Sequence, residues 1–458
     1  MITSGAFRGK RYAVLGLARS GKASVEALLA SGAEVTAWDA REEPREPFAG
    51  RVTLADPLGI DLTGFDGVVV SPGVPLNTHP IAAKAREAGV PLIGDIELFA
   101  LARGDLPPHR VVGITGTNGK STTTALVHHI LQTAGVPTTM GGNIGLPILG
   151  EEPLPAGGVY VLELSSYQLD LTHSLACEVA VLLNITPDHL DRYERFEDYA
   201  NSKLRLFWMQ WIENVAIAPS KYFHSDDKLA GVVSDGNSGR VMALEDVFSE
   251  CPADTAFPSE GDQPQWPALQ GPHNLQNACA AVGVGVVLSI PGFQIANGLR
   301  TFPGLPHRME RVGEYNSVLF VNDSKATNPA STAPALAAYP PNPNKRLHWI
   351  VGGLPKGDDL DECAPFFANV VVAYVIGEAG ARFAELLAPH MRVERSEMLC
   401  EALRRAIAAA GPGEVVLLSP ACASFDQFRD YEARGDAFRR LVHGLAGGGS
   451  VDPQWCAA

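Results

Sequence analysis

A glycine-rich loop is the segment of this sequence that is best suited to chemistry. The residues Gly113-Ile-Thr-Gly-Thr-Asn-Gly-Lys-Ser121 follow an apolar run and precede a helical pattern. Glycines let backbone amides converge on phosphate oxygens, and the positive end of a helix dipole adds to that attraction. Lys120 can reach the outer phosphates of a nucleotide, and the Ser121 hydroxyl can ligate Mg²⁺. An accidental glycine-rich turn is the alternative, because Ile114 stands where the common P-loop has its first glycine.

Glu163 and His189 are candidates for a metal site beside this loop, and Lys203 follows them along the chain. Glu163 ends the apolar run VYVLE, His189 lies in the segment PDHLD, and Lys203 lies in the helical segment YANSK. Carboxylate oxygens ligate Mg²⁺, and a histidine beside acids can orient a ligand. Taken singly, they read as a capping carboxylate, a surface histidine and a solvated lysine. The occurrence of Glu163 and His189 after predicted strands, beside a phosphate loop, favours a joint site for magnesium and a nucleotide.

A second glycine turn lies near the N-terminus. Gly16-Leu-Ala-Arg-Ser-Gly21 has the spacing of a dinucleotide fingerprint, and Asp39 ends the next predicted strand, where a ribose-binding acid would lie. Ala18 replaces the middle glycine, however, and its methyl group obstructs the close approach that a pyrophosphate needs. A modified nucleotide site and a strand–helix turn without a ligand therefore both stay open.

Polar residues farther along the chain suit the binding of anionic groups. Asn274 and Asn277 lie one helical turn apart and can contact an adenine edge, although Asn274 also suits a simple N-cap. The other candidates follow predicted strands or a linker: His307, Arg308, Glu310, Asp323, Lys325, Thr327, Asn328, Lys356 and Ser424. Each alone is more simply a surface residue. Their joint occurrence at strand ends favours an anion-binding site.

Composition and charge exclude several classes of protein. The 458 residues predict about three domains. With 46% hydrophobic and 19% charged residues, the chain is not disordered as a whole. Its net charge of −15 argues against sequence-independent binding to nucleic acid. Seven cysteines without a C-x-x-C pattern indicate neither a disulfide framework nor a zinc site, so a reducing cytoplasm is expected.

The chain shows no pattern of a signal peptide or of a membrane span. Residues 278–299 are uncharged, but Pro291 and several glycines interrupt them, which predicts a buried helix followed by a turn.

Elsewhere, apolar runs alternate with helical patterns in three series, separated by linker-like segments near LARGDLPPHR and TFPGLPHRMERVG. This alternation predicts an α/β protein with mostly parallel sheets. Residues 221–270 are expected to be irregular or β-rich.

Taken together, these motifs resemble the Mur ligases, the ATP-dependent amide-forming enzymes of peptidoglycan precursor synthesis. The resemblance covers nearly the whole chain and rests on TGTNGKST, LELSSYQL, NITPDHLDRY, HNLQN and HRMERV. The segments NDSKATNP and LLSPACASFDQFRDYEARG resemble the branch that adds D-glutamate to UDP-N-acetylmuramoyl-L-alanine. The D-N-P-R signature of the branch that adds diaminopimelate or lysine is absent.

The resemblance implies three domains and a role for each. A Rossmann-like domain of residues 1–100 would bind the UDP substrate, a central P-loop ATPase domain of residues 101–304 would bind ATP, and a Rossmann-like domain of residues 305–458 would bind the amino acid. The segment after Ala446 lies outside the recognisable pattern and is expected to lack fixed structure. A monomer is expected.

The resemblance also assigns the site residues. It places ATP on Gly116, Thr117, Asn118, Gly119, Lys120, Ser121, Thr122, Asn274, Asn277, Arg308, Asp323 and Lys325. It places the UDP substrate on Asp39, Arg41, Ser71 and Asn143, and glutamate on Thr327, Lys356, Ser424 and Tyr431. Catalysis would involve Lys120, Glu163, His189 and Lys203, and two Mg²⁺ ions would be held by Ser121, Glu163, His189 and Lys203. For the last role Lys203 would react with CO₂ to form a carbamate, whereas the residues alone equally allow a lysine that pairs with phosphate.

The implied reaction passes through an acyl phosphate, with a domain closure that excludes water. Three other functions stay open. The turn at Gly16–Gly21 allows an NAD-dependent oxidoreductase, and the phosphate loop allows a nucleotide-gated binding protein without catalysis. Ligation of glutamate to folate shares the ATP motifs.

Overall fold

The computed structural model describes residues 1–188, 192–222, 240–250, 258–357 and 359–445. The chain divides into two compact units. The first comprises Met1–Glu260 and Gln276–Leu299, and the second comprises Gly261–Leu275 and the chain from Arg300 onwards. The predicted metal ligand His189 and the predicted tail after Ala446 lie outside the described residues. So do residues 223–239 and 251–257 of the segment 221–270 that is expected to be irregular or β-rich.

The first unit contains a five-stranded sheet built from the N-terminal residues. Its strands are β1 (Arg11–Leu15), β2 (Glu34–Trp38), β3 (Thr53–Leu54), β4 (Gly67–Val70) and β5 (Leu92–Ile93), with helices α1 (Arg19–Ala30), α2 (Ile81–Glu87) and α3 (Asp95–Ala102). The order is β3-β2-β1-β4-β5, and all neighbours are parallel. The central strands β1 and β4 are apolar runs because helices cover both faces of a parallel sheet.

A six-stranded sheet follows in the same unit. Its strands are β6 (His109–Thr115), β7 (Thr138–Gly142), β8 (Gly158–Glu163), β9 (Val179–Leu182), β10 (Val215–Ala218) and β11 (Arg240–Ala243). Its helices are α4 (Lys120–Thr133), α5 (Ser166–Asp170), α6 (Phe196–Trp208), α7 (Val247–Glu250), α8 (Pro272–Val287) and α9 (Gly292–Thr301). The first four residues of α8 and the last two of α9 belong to the second unit. The order is β11-β10-β9-β6-β8-β7, all parallel. Because β6 lies between β9 and β8, the segments that follow these three strands meet at one edge.

The second unit contains a six-stranded mixed sheet. Its strands are β12 (Glu310–Tyr315), β13 (Val318–Asn322), β14 (Leu347–Gly352), β15 (Val370–Ile376), β16 (Arg392–Glu397) and β17 (Val415–Leu418), with helices α10 (Pro329–Ala337), α11 (Gly380–Leu387), α12 (Leu399–Ala409) and α13 (Tyr431–Leu445). The order is β12-β13-β17-β14-β15-β16, and only the β12–β13 pair is antiparallel. The two edge strands β12 and β16 were not predicted, because edge strands carry polar residues that hide the apolar signal.

The α/β architecture predicted from the sequence is confirmed, and so is the buried helix within residues 278–299. That segment forms the end of α8 and most of α9, with a break at residues 288–291. It is uncharged because it packs inside the protein: Ala278, Val282 and Leu299 are fully buried. Among the described residues no helix is both long and apolar enough to cross a membrane.

Candidate active site

The glycine-rich loop connects β6 to α4, as predicted. The strand ends at Thr115 and the helix begins at Lys120. Gly119 adopts a φ of +88°, and a β-carbon there would lie 2.3 Å from Oδ1 of Asn277. Only glycine therefore fits this position. The Thr123 hydroxyl donates to the same Asn277 oxygen at 3.2 Å, which joins the loop and α4 to α8.

Asn184 holds the loop in place, a role that was not predicted. Its carbonyl and its Oδ1 accept hydrogen bonds of 2.9 Å from the amides of Thr117 and Asn118. The Thr117 hydroxyl lies 3.0 Å from the Tyr199 hydroxyl. Two amides of the loop are thus bonded within the protein. Asn184 follows β9, the neighbour of β6, and this pairing of strands cannot be read from the sequence.

Two lysines converge on one carbonyl of the loop. Nζ of Lys120 and Nζ of Lys203 donate to the Gly116 carbonyl at 2.8 and 2.9 Å. Lys203 is only 1% exposed, although it was also open to interpretation as a solvated lysine. Burial, followed by the charge of Lys120, lowers the pKa of Lys203 to about 7. The neutral form of this amine is therefore much more accessible near pH 7 than that of a solvated lysine.

Glu163 offers a carboxylate oxygen that is suited to a cation. The side chain is 2% exposed, and its Oε1 accepts a hydrogen bond of 3.0 Å from Nδ2 of Asn143. Its Oε2 is buried and has no hydrogen-bond partner among the residues that the structure describes. An unpartnered buried carboxylate oxygen is costly unless a cation binds it, so this position fits Mg²⁺.

The side chains that the structure describes supply few ligands for a metal ion. Within the described ranges, no cluster of three His, Cys, Asp or Glu residues is arranged to hold a metal ion. Ser121 is buried at the start of α4. Mg²⁺ usually keeps several waters and takes the remaining ligands from one or two carboxylates and substrate phosphates. The arrangement therefore suits a metal that arrives with a nucleotide.

A cavity of about 370 Å³ lies in the first unit and brings three predicted residues together. Asp39, Ser71 and Asn143 line it. Asn143 also contacts Glu163, so the cavity wall reaches the candidate metal ligand. Arg41 does not line the cavity, and its side chain is 68% exposed.

Both glycines of the N-terminal turn are explained by close packing. A β-carbon on Gly16 would lie 2.9 Å from that of Ser71, and one on Gly21 would lie 1.9 Å from the Gly16 carbonyl oxygen. Asp39 accepts hydrogen bonds from the amides of Leu17 and Arg41 at 2.8 and 3.0 Å. Burial opposes ionisation of Asp39, but these bonds hold its pKa below the ordinary value. The Asp39 carboxylate thus stabilises the turn at Gly16–Gly21, which contributes residues to the cavity wall.

Gln168 is a cavity residue that the sequence reading missed. It lines the same cavity as Asp39 and is buried. It also forms a capping box at the start of α5, because Ser165 accepts from its amide while its side chain accepts from Ser165. The spacing S-x-x-Q in LELSSYQLD was the available signal.

Asn274 and Asn277 lie on the same helix, as predicted. Asn274 is not the N-cap, because α8 already begins at Pro272. Its Nδ2 donates to the Gln270 carbonyl at 3.1 Å, and both asparagines are buried. Their predicted contact with adenine stays a prediction.

The second unit brings together several of the predicted anion-binding residues. Burial raises the pKa of Asp323 to about 7, while its carboxylate accepts from Ser419 at 2.7 Å. Nζ of Lys325 lies 4.0 Å from the centre of the Tyr431 ring. Nζ of Lys356 donates to the Thr327 hydroxyl at 3.4 Å. Ser424 is buried in the middle of the segment that connects β17 to α13, and Arg308 precedes β12.

A buried arginine that was not predicted supports these segments. Arg434 is 1% exposed and donates to the carbonyls of Ser324 and Cys422 at 2.9 and 3.0 Å. Burial lowers the pKa of Arg434 to about 10. Its hydrogen bonds fix the residues that precede Lys325 and Ser424.

The fold and the site define a class of nucleotide-binding α/β proteins with a glycine-rich phosphate loop at a helix start. Matches to models of protein families assign the chain to a narrower group within this class. The Mur ligase MurD-like N-terminal domain matches residues 10–94, the Mur ligase middle domain 114–285, and the Mur ligase glutamate ligase domain 307–422. The chain belongs to the Mur ligase family.

Similar proteins include curated relatives and solved structures. UDP-N-acetylmuramoylalanine--D-glutamate ligases of Novosphingobium aromaticivorans and Sphingopyxis alaskensis are 65% and 60% identical. The alignments cover 97% of this chain and 97% and 100% of theirs. The fold resembles the crystal structure of MurF ligase from Thermotoga maritima in complex with ADP, with a TM-score of 0.56, 16% identity and 96% of each chain covered. It also resembles UDP-N-acetylmuramate-alanine ligase MurC of the same organism, with a TM-score of 0.55, 17% identity, and 95% of this chain and 99% of the other covered.

Proposed function

We propose that this protein joins D-glutamate to UDP-N-acetylmuramoyl-L-alanine at the expense of ATP, forming ADP and phosphate, in peptidoglycan precursor synthesis. Full-length relatives that carry the name of this ligase support the substrate pair. The structural observation that carries the proposal is the convergence of Lys120 and Lys203 on the Gly116 carbonyl. Glu163 ends the neighbouring strand β8, and one of its buried oxygens has no partner within the described part of the chain.

The proposed reaction requires that the alanyl carboxylate of the substrate be activated by ATP. An oxygen of the alanyl carboxylate attacks the γ-phosphorus of ATP, the bond to the bridging oxygen breaks, and ADP leaves. The neutral amine of D-glutamate then attacks the acyl carbon, phosphate leaves, and the amine loses a proton. Two anions approach each other in the first step, so the ammonium group of Lys120 is assigned to stabilise the transferring phosphate.

The site residues are proposed in the roles that the family resemblance implies. The residues of the phosphate loop, with Asn274, Asn277, Arg308, Asp323 and Lys325, are assigned to ATP. Asp39, Ser71, Asn143 and the exposed Arg41 are assigned to the UDP substrate, and Thr327, Lys356, Ser424 and Tyr431 to D-glutamate. Ser121, Glu163, His189 and a carbamate on Lys203 are assigned to hold two Mg²⁺ ions. When bound, these ions screen the negative charge of the phosphates.

The remaining assignments follow from the same proposal. Residues 1–100, 101–304 and 305–458 form the UDP-substrate, ATP and amino-acid domains. The protein acts in the cytoplasm as a monomer, without nucleic acid or membrane as a partner. Its net charge of −15 and the lack of a C-x-x-C pattern support this location and these exclusions.

Phosphate release tests the proposal directly. The protein is incubated with ATP, Mg²⁺ and UDP-N-acetylmuramoyl-L-alanine, and each amino acid of a panel is added in both enantiomers. Release should depend on D-glutamate. Release that starts with a folate acceptor, or release that no amino acid changes, would contradict the proposal. Binding of a nicotinamide cofactor, measured by titration, would favour the oxidoreductase instead.

Replacing Lys356 with alanine should raise the KM for D-glutamate far more than the KM for ATP. A carboxylate that loses a charge-assisted hydrogen bond loses about 1.5–3 kcal/mol of binding free energy. This loss corresponds to roughly a tenfold to hundredfold increase in the KM for D-glutamate. Steady-state kinetics with each substrate varied in turn provides the measurement. Lys345→Ala, which removes an exposed lysine from the same unit, is the control. Equal effects on both KM values would indicate general disruption of the unit.

A further inference from the structure

Arg192 contacts elements of both sheets in the first unit. Its Nη2 donates a hydrogen bond of 3.0 Å to the carbonyl of Val74, which follows β4 of the first sheet. Its Cζ lies 4.0 Å from the centre of the Tyr167 ring in α5, which follows β8 of the second sheet. Within the described parts of the chain, no carboxylate forms an ion pair with Arg192. The side chain therefore links the two sheets through a carbonyl and a ring.

Val74 belongs to the wall of the substrate cavity. Its amide donates to the Ser71 carbonyl at 3.0 Å, which closes a tight turn, and the Ser71 hydroxyl donates to the Gly16 carbonyl at 2.8 Å. Both Ser71 and Val74 line the cavity of about 370 Å³. The carbonyl that Arg192 holds is thus part of the turn that shapes this cavity.

Tyr193, the residue after Arg192, contacts side chains that lie near the phosphate loop. The Tyr193 hydroxyl donates to Asp170 at 2.7 Å, and its ring centre lies 5.4 Å from that of Tyr199. Tyr199 in turn contacts the phosphate loop through Thr117, and Nζ of Lys203 lies 4.6 Å from the centre of its ring. One dipeptide therefore contacts the cavity turn and the side chains around the lysine pair.

The geometry of the contact requires an arginine. A guanidinium group is planar, so it can stack on an aromatic ring while its N–H groups donate in the same plane. A lysine carries a positive charge but has no plane to stack and no fixed direction of donation. Stacking of a cation on the face of a partly buried ring is attractive, so this contact biases the position of the turn.

We propose that Arg192 is a positioning residue for the nucleotide-sugar substrate: it holds the Ser71–Val74 turn in the conformation that binds this substrate. The inference rests on the proposed function, because it assigns the cavity to UDP-N-acetylmuramoyl-L-alanine. Arg192 itself touches neither the phosphate loop nor the lysine pair. Its loss should therefore weaken binding of the nucleotide sugar and leave binding of ATP nearly unchanged.

Arg192→Ala and Arg192→Lys, with Arg195→Ala as the control, test this role. Arg195 is three residues away and pairs with Asp198 on the surface. Calorimetry measures the Kd of UDP-N-acetylmuramoyl-L-alanine without ATP, and phosphate release measures both KM values. Both Arg192 variants should raise the Kd and the KM of the nucleotide sugar about tenfold and change the KM of ATP less than twofold. Arg195→Ala should behave as wild type.

Three results would overturn the role of Arg192. They are wild-type affinity in Arg192→Ala, full recovery in Arg192→Lys, and equal changes in the KM values of both substrates. Should Arg192→Ala unfold at the assay temperature, Arg192→Lys alone decides by the same criteria. Failure of the proposed function can be distinguished from failure of the role of Arg192. If the proposed function were wrong, the wild-type protein itself would neither bind the nucleotide sugar nor release phosphate with it.

Discussion

Replacing Lys203 with alanine should reduce kcat by about 10³-fold, and small carboxylates should restore part of the activity. The expected loss is that of a ligand to Mg²⁺ in a site where charge stabilisation dominates the rate. A carbamate carries a negative charge and two oxygens, so acetate or formate can occupy the space that the variant leaves. The measurement is phosphate release by Lys203→Ala at increasing concentrations of either carboxylate.

The surroundings of Lys203 favour a carbamate over a charged amine. Only a neutral amine reacts with CO₂, and the pKa of Lys203 is lowered to about 7 by burial and by Lys120. Two ammonium groups on the Gly116 carbonyl repel each other, whereas a carbamate would attract Lys120. Below pH 7 the lysine is protonated, so activation of the wild-type protein by bicarbonate should rise as the pH increases through 7.

A matched control separates this role from general effects of the added compounds. Lys221 belongs to the same unit, is exposed and lies 5.0 Å from the ring of Tyr222, so Lys221→Ala should retain activity with or without carboxylates. If small amines restored Lys203→Ala and carboxylates did not, the lysine would act as a cation on phosphate and the carbamate would be wrong.

Replacing Lys120 with alanine should lower kcat at least about 10²-fold. Its ammonium group is placed at the start of α4, where it can stabilise the charge on the phosphate that is transferred. Phosphate release under saturating substrates is the measurement, and thermal unfolding should show that the variant remains folded. Near-normal turnover would contradict the assignment of this loop to ATP.

The same variant should also change the titration of Lys203. Removing Lys120 takes away a positive charge that lowers the pKa of Lys203, so this pKa should rise while the effect of burial remains. The pH at which bicarbonate begins to activate residual turnover should therefore shift upwards. An unchanged profile would mean that burial alone sets the pKa of Lys203.

The sequence by itself determined the class of fold and the phosphate loop. Apolar runs such as β6 and β8 alternate with helical patterns, and the glycines before Lys120 and Ser121 allow the positive φ angles that the phosphate loop adopts. Both features are local, so they can be recognised without knowing which distant residues pack against them. The edge strands β12 and β16 were missed because they are polar and gain their strand conformation from pairing.

Only the tertiary structure decided which residues share a site and what their chemical state is. Lys203 has the residue type and the spacing of a solvated helical lysine, yet the packing of α6 buries it beside Lys120. Asn184 and Arg192 both lie in the segment NITPDHLDRY, but their roles depend on strands distant in sequence, which place them against the phosphate loop and the Val74 carbonyl. Burial and distance are properties of the whole packed chain, and they set both the pKa of a group and the partners of a hydrogen bond.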